Sequence, residues 1–110
     1  MTSPSDNSAA GPQALDPDGA DVLARTLAIV NQRGLHARAA AKLVTVAERF
    51  SAVVEVERAA QRVSALSIMG LMMLGAGKGE TIRVLAQGWD ARDAIDALTL
   101  LVEAGFNEDD

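Results

Sequence analysis

The chain has 110 residues, 49% of them hydrophobic, with a mean hydropathy of +0.14, a formal net charge of −5 and no cysteine. That is enough apolar chain for one small packed domain, and it excludes a disulfide framework or a thiolate metal site. With one histidine and no apolar run near the ~20 residues that a spanning helix needs, a metal centre and membrane insertion fit poorly, and a cytoplasmic protein is expected.

The charge is unevenly divided. Residues 1–24 hold four acids (Asp6, Asp16, Asp18, Asp21) and no base, and the end of the chain adds Glu108, Asp109 and Asp110. Between Arg25 and Phe106 ten basic residues face eight acidic ones, so the acidity lies in the flanks. So small a positive balance, with few aromatics, gives nucleic-acid binding no support.

The chain opens MTSPSDNSAAGPQALDPDGADV, which carries all three prolines but neither the basic nor the apolar region of a signal peptide. It has too little apolar surface to order itself. The expectation is a disordered acidic extension over residues 1–22, a folded domain over 23–106 and an acidic tail over 107–110.

Within the domain two periodicities alternate. Arg25–Asn31 (RTLAIVN) reads as a strand with Leu27 and Ile29 on one face. Ala37–Phe50 reads as a helix with Ala40, Leu43, Ala47 and Phe50 inward and Lys42, Thr45 and Arg49 outward. Ala52–Glu57 and Arg62–Leu66 alternate as a hairpin, although Ala59-Ala60 is poor turn chemistry. Ser67–Leu74 (SIMGLMML) is a short apolar helix capped by serine, and Thr81–Ala86 is a fourth strand. Asp90 then caps a helix bearing Ala94, Ile95, Leu98, Leu101 and Val102 on one stripe, with Trp89 placed to staple against Ala94. The order β-α-β-β-α-β-α gives an α+β fold, one sheet with helices covering one face.

Two segments suggest chemistry. GAGKG (Gly75–Gly79) lacks the earlier glycine and the following Ser or Thr of a P-loop, and leads into a strand, so it reads as a flexible turn. This speaks against a nucleotide-binding domain. In NQRGLHARAAA (Asn31–Ala41) a histidine and an arginine stand where a helix begins, although its positive end favours acids. Gly34 permits a sharp turn before His36, the first-turn amides form an anion site, and Arg38 brings a guanidinium suited to phosphate. Helix terminus and Arg38 both disfavour an imidazolium, leaving a nitrogen lone pair free to take up a phosphoryl group. The misplaced cation awaits a partner that arrives with the substrate.

GLHARAAA, followed about thirty residues later by SIMGLMMLGAGKGETI, resembles the HPr family, the histidine phosphocarriers of the phosphoenolpyruvate-dependent phosphotransferase system. The resemblance runs from about Arg25 to Phe106. It implies an open-faced β-sandwich, a four-stranded antiparallel sheet with three helices on one side. It implies that His36 accepts a phosphoryl group on Nδ1 from enzyme I and passes it to an enzyme IIA, with Arg38 contacting that group. Ser67 matches the serine modified by an HPr kinase/phosphorylase in many members. Ile68, Met69 and Met72 form an apolar patch for docking those partners. No cofactor is implied, and a monomer is expected. Where many members have proline after the arginine, this chain has Ala39, so the first turn lacks a pre-set φ. The alternative is a regulatory binding module acting through Ser67 and the Ile68, Met69 and Met72 patch without relaying phosphate. SIMGLMML leans towards the nitrogen-type branch or systems with the serine kinase.

Overall fold

The computed structural model describes residues 14–108. Strands β1 (Leu23–Ala28), β2 (Val53–Arg58), β3 (Gln61–Ser64) and β4 (Thr81–Gln87) alternate with helices α1 (Ala37–Ala47), α2 (Ile68–Met73) and α3 (Ala91–Glu103), and a short 3-10 turn, Gly105–Asn107, follows. The strands form one antiparallel sheet in the order β1-β4-β2-β3. Three helices and four strands in this order are the α+β sandwich expected. Element ends move by a few residues; the first helix, expected to Phe50, stops at Ala47 and unwinds through turn bonds from Arg49 and Phe50.

Period-two alternation sends Leu27 and Ile29, Val54 and Val56, and Ile82, Val84 and Ala86 to the helical side of the sheet. They meet Ala39, Ala40, Leu43 and Ala47 of α1, Leu71 and Leu74 around α2, and Ala94, Ile95, Leu98 and Val102 of α3. Truncating a fully enclosed side chain such as Leu43 should cost about 2–5 kcal/mol. Small residues set the spacing between layers. A Cβ on Gly70 would stand 3.0 Å from Val63 Cβ, so this glycine lets α2 settle onto β3.

Two local expectations at the start of α3 are corrected. Asp90 makes no side-chain bond to its own helix; its buried carboxylate accepts from Ser51 N (2.9 Å) and Ala52 N (2.8 Å), tying the α1–β2 connection to α3. Trp89 is 85% exposed and staples nothing. At the β2–β3 hairpin Ala59 and Ala60 both adopt positive φ (52° and 68°). The tight turn therefore forms despite its sequence, at a steric cost of about 1–2 kcal/mol per residue.

The open face of the sheet is covered at one corner. Leu85, which points away from the helices between Ala24 and Glu55, is only 4% exposed yet stands outside the helical core. Residues 15–20 lie over this corner. Leu15 N donates to Glu55 Oε2 (3.3 Å), Asp16 N donates to Gln87 Oε1 (2.7 Å), and Gln87 Nε2 donates to the carbonyls of Asp16 and Ala20. The disorder expected of residues 1–22 thus differs from the structure over this part, because DPDG closes a turn (Gly19 N to Asp16 O, 3.1 Å) that Gln87 can grip. Residues 1–13 lie outside the described residues, as do Asp109 and Asp110.

Candidate functional site

Three pieces of chain meet at the start of α1. The first is the loop Asn31–Leu35. Gly34 has φ +66°, and a Cβ there would lie 2.5 Å from Ala76 O. Only glycine fits. Leu35 N donates to the same carbonyl (2.9 Å), and Gly79 N donates to Ile29 O (2.8 Å). The GAGKG segment, read from sequence as a flexible turn, is therefore a bonded wall that holds this loop.

The second piece is α1 itself. His36 is its N-cap residue, with extended backbone (φ −79°, ψ −177°), and its Nδ1 accepts from Arg38 N at 3.3 Å. Ala40 N closes the first helical bond to His36 O (2.8 Å), so the amides of Ala37, Arg38 and Ala39 precede the helical ladder. The Arg38 side chain is exposed and forms no ion pair among the described residues. With no acid in its first turn and an exposed guanidinium beside its first amides, this helix start favours an anion.

The third piece was missed in the sequence. After α3 the chain reverses through Gly105, Phe106 and Asn107, all at positive φ (64°, 58° and 58°). Phe106 is fully buried there, and its apolar burial outweighs the cost of the left-handed backbone. Lys42 Nζ donates to Phe106 O (2.6 Å) and pins the turn. The reversal returns Glu108 onto His36, where the carboxylate bonds Nε2 of the imidazole. Asn31 Nδ2 bridges Gly34 O (2.8 Å) and Glu108 Oε1 (3.0 Å). Burial pulls the Glu108 carboxyl upward, but the hydrogen bonds from His36 and Asn31 and the charges of His36 and Lys42 outweigh it and hold the group below the ordinary carboxylate value. Glu108, which composition assigns to a solvated tail, is a wall of the site.

These contacts define the ring's chemistry. A carboxylate can only accept and a backbone N–H can only donate. The neutral form that satisfies both carries its proton on Nε2 and its lone pair on Nδ1. That lone pair points at the first turn of α1, the most anion-friendly place nearby.

Ser67 starts α2. Its Oγ accepts from Gly70 N (2.9 Å), and Leu71 N closes on Ser67 O (3.0 Å). Leu71 and Leu74 are buried, whereas Ile68 (40%), Met69 (72%) and Met72 (43%) are exposed on the other side. Met73 (69%) and Leu66 (38%) widen that apolar patch. Met73 lies four residues after Met69, a spacing that could have included it. α1 and α2 pack on each other, so His36 with Arg38 and Ser67 with its patch belong to adjacent helices on one layer.

The family described as PTS HPr component phosphorylation site matches residues 23–104. The chain belongs to the HPr family of phosphocarrier proteins. It is 45% identical over 86 residues to phosphocarrier protein NPr of Shewanella violacea, covering 78% of this chain and 94% of that one. It is also 45% identical over 87 residues to phosphocarrier protein HPr of Cupriavidus necator, covering 79% and 98%. Equal identity to an NPr and an HPr places the chain in the family without separating its branches. The crystal structure of HPr-C-His from Thermoanaerobacter tengcongensis superimposes with a TM-score of 0.75 at 42% identity, over 79% of this chain and 98% of the other. The HPr match ends at residue 104, before the turn that carries Glu108.

Proposed function

We propose that the chain carries a phosphoryl group on Nδ1 of His36, received from enzyme I with phosphoenolpyruvate as first donor and passed to an enzyme IIA. The observation that carries this reading is the ring's orientation, with Nδ1 facing the amide end of α1 and Nε2 held by a carboxylate. In transfer, the bond from phosphorus to the donor breaks as the Nδ1–P bond forms. The phosphoryl oxygens then lie at the start of α1, with the Arg38 amide and guanidinium as donors. The protein acts as substrate and product of its partners rather than as a turnover catalyst.

Ser67 supplies regulation in the same proposal. A phosphate on Oγ would add roughly −1.5 to −2 charge beside Ile68, Met69 and Met72, and docking would have to desolvate it against an apolar partner. The patch would serve enzyme I, enzyme IIA and an HPr kinase/phosphorylase in turn.

The test is reconstitution of the relay. Incubated with phosphoenolpyruvate, enzyme I and a panel of enzyme IIA proteins, the wild-type chain should gain an acid-labile phosphoryl group and lose it to at least one acceptor. Arg38→Ala should do the same about tenfold more slowly, since one charge-assisted contact is lost and the amides remain. A chain that stays unmodified in the presence of active enzyme I would contradict the proposal.

A further inference from the structure

We infer that Glu108 is a positioning residue for the chemistry at His36: its carboxylate accepts the Nε2 proton as a hydrogen bond and holds the ring in the tautomer whose Nδ1 carries a lone pair rather than a proton. The inference rests on the proposed role of His36 as phosphoryl acceptor, and goes beyond it by giving a part to a residue outside the span matched by the family.

Five contacts carry it. Nε2 meets Glu108, and Nδ1 accepts from Arg38 N, so both ring nitrogens are bound by groups that ask for the same tautomer. Asn31, 3% exposed, donates to the other Glu108 oxygen and to Gly34 O, which fixes the carboxylate's orientation from behind. Lys42 holds the carbonyl of Phe106, two residues earlier, and so anchors the turn that delivers Glu108. His36 and Glu108 side chains are only 16% and 11% exposed, so water competes poorly for either. A solvated tail residue would show none of this.

The step balances without moving a proton. The bond between phosphorus and the donor atom breaks, and its electron pair returns to the donor. The Arg38 amide shifts from Nδ1 to a phosphoryl oxygen, the released Nδ1 lone pair of His36 forms the new N–P bond, and the His36 ring becomes positively charged with its proton still on Nε2. Glu108 faces that charge. In the opposite tautomer the attacking nitrogen would carry the proton, which would have to leave before or during attack.

The experiment uses full-length chain labelled with 15N in the histidine ring, at a pH where the ring is neutral. Ring-nitrogen shifts should show one tautomer, Nε2–H, in wild type. Glu108→Ala should add an Nδ1–H population and slow single-turnover phosphorylation by enzyme I about tenfold, the worth of one charge-assisted hydrogen bond. Glu108→Gln, whose amide oxygen still accepts, should keep the wild-type tautomer and fall between the two in rate. Wild-type ring shifts in Glu108→Ala, or altered shifts with a wild-type rate, would overturn the inference. The ring shifts need no phosphorylation. A wild type that takes no phosphoryl group but holds one tautomer only while Glu108 is present would therefore fail the carrier reading alone.

Discussion

The starts of α1 and α2 are both helix caps, and they are built in opposite ways. At α2 the cap is local: Ser67 Oγ takes Gly70 N at 2.9 Å, and all the needed atoms lie within four residues. At α1 the cap is a histidine whose ring reaches Arg38 N at 3.3 Å, a long contact, and whose other nitrogen is bonded to a carboxylate 72 residues away. Serine at a helix start needs no further explanation. A histidine held from both sides, in a first turn without an acid, does. The α2 terminus is fully capped by its own serine, whereas the α1 terminus gives up capping strength, which in the proposed function serves to present a nucleophile.

The largest expected effect breaks the comparison at α1. His36→Ala should abolish phosphoryl acceptance from enzyme I while retaining the fold, read as loss of acid-labile phosphate with an unchanged circular dichroism spectrum. Ser67→Asp comes next. It should slow phosphorylation of His36 markedly while leaving the melting temperature equal or higher, because an acid at a helix start is worth about 0.3–1 kcal/mol. A wild-type rate and affinity in Ser67→Asp would remove the patch beside Ser67 from the docking surface. Ser67→Ala should show the reverse, normal transfer with stability lower by about 1 kcal/mol in urea titration.

Away from both caps, deleting residues 1–22 uncovers Leu85 and strips Gln87 of its three partners. It should lower stability by about 1 kcal/mol, the worth of partial Leu burial less the entropy of ordering a short segment, and leave transfer unchanged. No loss of stability would mean that the segment 15–20 contributes nothing there. The smallest effect concerns acid. Glu108 has a folded-state value below its unfolded one, so its contribution is present above the ordinary carboxylate value and is lost as pH falls through the lowered one. Amide exchange at the first turn of α1 should accelerate over that window, relative to α2, whose Ser67 cap has no titrating group; equal behaviour of the two helices would contradict the assigned difference.

What could be seen in the sequence follows the same division. Helix and strand periods, the Ser67 cap and the His36–Arg38 oddity are all short-range patterns, and each was readable within a turn or two of chain. The missed features are long-range. Glu108 reaches His36 only because three successive residues adopt positive φ, one of them a phenylalanine held there by its burial. Such a turn has no glycine-rich signature. Asp90 stands where a cap for the following helix is expected, and instead serves amides 38 and 39 residues earlier. The grip of Gln87 on Asp16 and Ala20 likewise joins residues 71 and 67 positions apart. The rest of the fold was legible because its core obeys periods of two and of 3.6.

In the proposed relay, Nδ1 of His36 takes the phosphoryl group. Phosphorylating ring-labelled wild-type chain with phosphoenolpyruvate and enzyme I, then reading the 15N–31P coupling in the intact protein, tests it most directly. A single coupling is expected, to Nδ1 of His36, with the proton still on Nε2. Coupling to Nε2, or phosphate found only on a hydroxyl, would contradict it.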